Sequence, residues 1–182
     1  VVSGYAAARA AKRAGIRLLV LQIMLNTPKT TWAIQDLAKA RALLALVRSL
    51  EGPDFKVVLQ PRGGLDYFST DLEKAKAQLA AVTALMDDIE AGDPSSPDII
   101  HVVGYSEANS LADPDVIDDS IRITRGALDA YRRARALGNT ADMGRDADAS
   151  YRTDKLIGDA RTLIAAIERT IPDPYGPAGM YE

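Results

Sequence analysis

Ile16-Arg17-Leu18-Leu19-Val20-Leu21-Gln22-Ile23-Met24-Leu25-Asn26-Thr27-Pro28 decides the fold. From Ile16 to Met24 the stretch is apolar and of strand length, with only Arg17 and Gln22 interrupting it. It falls far short of the ~18 apolar residues that a membrane helix needs. The run is continuous rather than alternating, which predicts a parallel strand covered on both faces. Asn26-Thr27-Pro28 breaks it.

The flanks read as helices. Ser3 is a candidate N-cap for an Ala-rich helix from Tyr5 to Ala14, ended by Gly15. Thr30 or Thr31 starts a helix to about Leu50, with Ile34, Leu37, Ala38, Leu44 and Val47 on its apolar face. Gly52-Pro53 stops it. The same strand-then-helix pattern repeats twice. Phe55 to Leu59 is a second buried strand, Gln60 to Phe68 a loop, and Ser69 or Thr70 the cap of a third helix running to Ile89. After the linker Gly92 to Pro97, Asp98 to Val103 is a third buried strand and Gly104 to Pro114 a loop. Asp113-Pro114 is an N-cap with proline at the first helical position, and that helix reaches Leu137. Asn139 to Ala149 is a polar loop, Tyr151 to Ile171 a last helix, and Pro172 to Glu182 a tail.

Strands alternating with helices mean βαβ units and a parallel α/β sheet. Three strands make a small doubly wound sheet or consecutive units of a (β/α)8 TIM barrel. The chain opens on Val1-Val2 rather than Met. Together with the strand count, this predicts that residues 1–182 are one α/β region, about half of a barrel completed by another chain or by further sequence.

Composition removes several chemistries. Of 182 residues, 47% are hydrophobic and 26% charged, as in an ordinary folded domain. With 22 Lys+Arg against 25 Asp+Glu the net charge is −3, which excludes a nucleic-acid binder driven by phosphate neutralisation. Cysteine is absent, so disulfides, thiolate metal sites and thiol nucleophiles are excluded. The single His101 leaves little for histidine-based metal or triad chemistry, and no metal site is expected. No signal peptide or membrane span is present, and the expected location is cytoplasmic.

Ligands of parallel α/β folds sit at the C-terminal ends of the strands. That selects the loops Leu25 to Thr30, Gln60 to Ser69 and Gly104 to Asp113. Their candidate residues include Asn26, Thr27, Lys29, Arg62, Gly63, Gly64, Asp66, Tyr67 and Glu107. Gly63-Gly64 either lets a backbone approach a ligand or serves a loop that needs positive φ. Arg62 either clamps an anionic group or pairs with Asp66. Glu107 either binds ribose hydroxyls or moves a proton, or is a solvated loop acid. His101 reads as a buried strand histidine with a satisfied ring. Asp113, Asp115, Asp118 and Asp119 suit a helix N-terminus. Asp142, Asp146 and Asp148 read as solvated loop acids, and Trp32 and Tyr5 as packing residues.

In order along the chain, several segments resemble the large subunit of coenzyme B12-dependent glutamate mutase (methylaspartate mutase), in its C-terminal part. They are Val2-Ser3-Gly4 with the Ala-rich helix, Ile34-Gln35-Asp36-Leu37-Ala38, and Gly63-Gly64 followed by Phe68, Asp71 and Lys74-Ala75. Glu107-Ala108 and Ile171-Pro172-Asp173-Pro174-Tyr175-Gly176-Pro177 complete the set. The resemblance implies a (β/α)8 barrel and a radical carbon-skeleton rearrangement of a small amino-acid substrate, an isomerase activity of the assembled protein. It implies adenosylcobalamin, held mainly by a separate small cobalamin-binding subunit. It places Gly63, Gly64 and Phe68 against the corrin and Glu107 on the adenosine ribose. The family carries Lys four residues before that Glu, where this chain has Val103. Asp98-Ile99-Ile100-His101-Val102-Val103-Gly104 is near a cobalt-ligating Asp-x-His-x-x-Gly motif but has one residue too many between Asp and His. Two other readings stand beside the mutase. One is a non-catalytic α/β scaffold or interaction subunit derived from such a barrel. The other is a barrel enzyme for a small anionic metabolite, with Arg62 and Lys29 as its cations.

Overall fold

The computed structural model describes residues 1–26, 31–65 and 68–176. Thr27, Lys29, Asp66 and Tyr67, named above as candidates, lie outside the described residues, as does the end of the tail. The order is α1 (Val2–Arg13), β1 (Leu18–Leu25), α2 (Ala33–Arg48), β2 (Lys56–Gly63), α3 (Leu72–Asp87), α4 (Pro114–Ala136) and α5 (Ala147–Thr170). The fold class is α/β with parallel strands: β1 pairs β2 in register from Leu18↔Lys56 to Leu25↔Gly63. The described residues do not close a barrel.

The prediction of a strand covered on both faces is corrected. Along β1 the burial alternates. Leu21, Ile23 and Leu25 enter a core with Leu37, Leu44 and Val47 of α2, Leu59 of β2, and Val82 and Met86 of α3. Leu18, Val20 and Met24 on the other face are 58%, 45% and 45% exposed. The reason is that α2 and α3 both pack on one side of the sheet, and no described element covers the other.

The second strand runs further than predicted. Gln60, Pro61, Arg62 and Gly63 belong to β2, not to a loop. Proline is tolerated at 61 because odd residues of β2 turn their N–H away from β1, so no β1–β2 bond is lost. The third predicted strand is reduced to one parallel bridge, Arg62↔His101. Ile99 and His101 donate to the Leu59 and Pro61 carbonyls at 3.1 Å each. Pro61 has no N–H to return to the Ile99 carbonyl, and the Leu59 N–H bonds Asp98 Oδ2 at 2.7 Å instead of backbone.

Helix ends also differ. Ser3 lies inside α1, whose N-cap is Val1. Trp32 caps α2, with Gln35 Oε1 accepting its N–H at 3.1 Å, and Trp32 is 80% exposed rather than packed. Asp71, not Ser69 or Thr70, caps α3 by accepting from the Glu73 and Lys74 N–H groups. Asp113 caps α4 as predicted, accepting the Val116 N–H at 2.8 Å. Asp146 caps α5, so that helix begins before Tyr151, and Asp148 pairs Arg152 at 3.0 Å instead of lying in a loop. α4 packs on α3, while α5 lies outside α2 and touches α1. Among the described residues no helix is long and apolar enough to cross a membrane.

Candidate functional site

The C-terminal ends of β1 and β2 and the segment after His101 form one rim. Gly63 ends β2 beneath α3. A Cβ there would lie 3.2 Å from Val82 Cγ1 and 3.5 Å from Phe68 Cζ. Neither Gly63 nor Gly64 has positive φ, so close packing, not a special turn, is what glycine serves at 63. The Gly64 N–H donates to the Leu25 carbonyl at 3.1 Å, tying the two strand ends together. Phe68 turns inward, 5% exposed, into a cluster with Ala75, Leu79, Val103 and Tyr105.

Glu107 is exposed, and its Oε1 accepts the Gly104 N–H at 2.7 Å. The carboxylate thus braces its own turn. Arg62 projects from β2 onto the open face, its Nε donating to the Gly63 carbonyl at 3.1 Å. Among the described residues its two terminal nitrogens have no partner. Arg62 and Glu107 are not brought into contact.

Below Arg62 lies a polar layer that the loop-by-loop reading of the sequence missed. Gln22 Nε2 donates to Gln60 Oε1 at 3.0 Å and meets His101 Nδ1 at 3.2 Å. Gln22 Nε2 is a donor, so in this contact His101 Nδ1 takes the acceptor's place. His101 is therefore half-exposed on the open face with one ring nitrogen satisfied, not buried. The signal was present: Gln22 is the lone polar residue in Leu18–Leu25, and it pairs in register with Gln60.

Asp36, also missed, anchors the rim. It is fully buried. Its Oδ2 accepts the Asn26 N–H at 2.6 Å and its Oδ1 takes Lys39 Nζ at 3.0 Å. Lys39 in turn donates to the Met24 carbonyl at 3.2 Å. Asn26 Oδ1 and Thr31 Oγ1 are buried without a partner among the described residues. Asp36→Ala leaves the Asn26 amide unpaired. It should lower unfolding free energy by about 2–3 kcal/mol and expose the Asn26 amide to hydrogen exchange. An unchanged urea midpoint would show that the anchor is dispensable.

Of the residues that the resemblance places around a corrin, the described ones are engaged within the chain. Phe68 is spent on the core, the space above Gly63 is filled by Val82 and Phe68, and Glu107 is engaged by Gly104. Hollows lie on the helical side. One of about 290 Å³ between α2 and α5 is lined by Gln35, Arg152, Lys155 and Asp159. Its charges are already paired, Lys155 with Asp159 at 2.8 Å and Arg152 with Asp148 at 3.0 Å. Among the described residues no group of acids and histidine could hold a metal ion. No family model, curated protein or solved structure matches the chain.

Proposed function

We propose that this chain is a sector of a (β/α)8 barrel that acts only within a larger assembly, forming one wall of a ligand-enclosing site. The observation that carries this reading is the one-sided sheet. A doubly wound fold places helices on both faces. A barrel places them only outside, and its strands' other face fills the interior. Here α2 and α3 share one face, and Leu18, Val20 and Met24 stand open on the other. The barrel is completed by another chain or segment.

The activity that the resemblance suggests for the completed barrel is the adenosylcobalamin-dependent rearrangement of a small amino acid. In that reading a separate small subunit carries the cofactor, and the cofactor supplies the radical. This chain would contribute enclosure and orientation through Arg62 and the rim, with no nucleophile of its own. One observation favours the scaffold reading instead. Val103, where the mutase family has Lys, is buried beside Phe68, and Glu107 is held by Gly104.

Adding adenosylcobalamin to the full assembly, with the completing barrel segment and the small subunit present, separates the two. The mutase reading expects a change in the cobalamin absorption spectrum, weakened by Glu107→Gln. A cobalamin spectrum left unchanged by the full assembly sinks that reading and leaves the scaffold.

A further inference from the structure

The sheet leaves two features unpartnered that belong together. The first is the edge of β1. In this register, residues 19, 21, 23 and 25 turn their backbone groups to β2, and even residues turn theirs outward. The Met24 carbonyl is capped by Lys39 Nζ. Among the described residues, the N–H and C=O groups of Leu18, Val20 and Gln22 have no partner. Such a row is a template for another strand.

The second is the open face. Its strand positions are Leu18, Val20, Gln22 and Met24 on β1 and Lys56, Val58, Gln60 and Arg62 on β2, joined by His101. The polar centre is satisfied within itself by the Gln22 bonds. The two formal charges, Lys56 and Arg62, are both cationic and have no carboxylate partner among the described residues, and these positions carry no carboxylate.

We propose that the β1 edge and the open face together dock one partner: a strand-bearing protein segment that runs parallel to β1 and sets carboxylates against Lys56 and Arg62. A second copy of this chain fits poorly. Two such faces would set Lys56 and Arg62 against the same cations, and like charges at an interface repel. The proposal rests on the barrel-sector reading only for the direction in which the sheet is extended. Its test involves no cobalamin, so it fails separately from the mutase reading.

The probe is a blocked peptide of alternating Val and Glu, seven residues long, with its Val/Lys counterpart as control. Hydrogen exchange by NMR on the full chain reads the outcome. The acidic peptide should slow exchange of the Leu18, Val20 and Gln22 amides and bind about tenfold tighter than the lysine peptide at low salt. Lys56→Glu with Arg62→Glu should reverse that preference. If this double variant fails to fold, Lys56→Gln with Arg62→Gln should abolish it. No slowing at those amides with millimolar peptide, or equal binding of both peptides, overturns the proposal. So does protection of the same amides in a self-associated chain without peptide, because the occupant is then a second copy.

Discussion

Replacing Asp87 by Ala should lower the unfolding free energy by about 3–5 kcal/mol, the range for stripping one partner from a buried charge cluster. Asp87 is the last residue of α3, and its side chain is 1% exposed. Arg132 Nε donates to Oδ1 at 2.7 Å and Arg135 Nη2 to Oδ2 at 2.5 Å. Arg135 also reaches Asp88 Oδ1 at 3.0 Å, and the Tyr131 hydroxyl donates to Asp88 Oδ2 at 2.6 Å. Two carboxylates at a helix C-terminus oppose the helix dipole. They persist because α4 brings two guanidinium groups to them. Burial pushes the Asp88 carboxyl above the usual aspartate range, against the pull of Tyr131 and Arg135. Arg132 also donates to the Ser96 carbonyl at 2.7 Å, holding the segment that leads to His101. Without Asp87, Arg132 loses its carboxylate partner, Arg135 keeps only Asp88, and α4 loses two of its charged ties to the end of α3. Urea denaturation measures the effect, and a loss below about 1 kcal/mol would mean that solvent screens the cluster as it does a surface pair.

Phe55→Ala should cost a similar amount, about 3–5 kcal/mol, for a different reason. Phe55 is 1% exposed and precedes β2. It closes a short turn, with the Gly52 N–H donating to its carbonyl at 3.0 Å. Lys12 Nζ from α1 lies 5.8 Å from the ring centroid and donates to the Leu50 carbonyl at 2.5 Å. The ring thus fills the bottom of the core and floors the contact with α1. Truncation leaves a cavity that the two strands cannot close. Phe55→Leu should recover more than half of the loss, because volume rather than aromaticity is what the site needs. Equal losses for Ala and Leu would contradict that.

The sequence made the helices legible where the deciding signal was local. Asp113-Pro114 marked the start of α4 because an N-cap and a first-turn proline act within three residues. Asp71 reads as a first-turn acid rather than the cap because Ser69, Thr70 and Asp71 all suit a cap. Ser69 Oγ instead accepts the Asp71 N–H at 3.1 Å, one step before the helix. β2 was cut short because Gln60-Pro61-Arg62-Gly63-Gly64 has the composition of a turn. Only the pairing register reveals that the missing proline N–H faces away from β1. The open face was illegible for a deeper reason. A continuous apolar run says that both faces avoid water, not that one chain supplies both covers.

The same holds for the candidate site. Arg62, Gly63, Gly64 and Glu107 could be placed on the rim from strand order alone. Asp36 could not, since a carboxylate inside a helix gives no hint that its partner is a backbone N–H ten positions earlier. Nor could the Asp87 cluster, whose partners lie 45 and 48 residues away.

α5 rests on the rest of the molecule differently from the other helices, and this bears on every denaturation curve. Of its 24 residues only Ala149, Ala160 and Ile164 are buried. Two alanines and an isoleucine remove little apolar area from water, however closely the helix lies on α2. Such an element opens as a unit of its own, at a free energy below that of the whole fold. A helical signal therefore blends two openings, whereas a probe near Phe55 follows the global one.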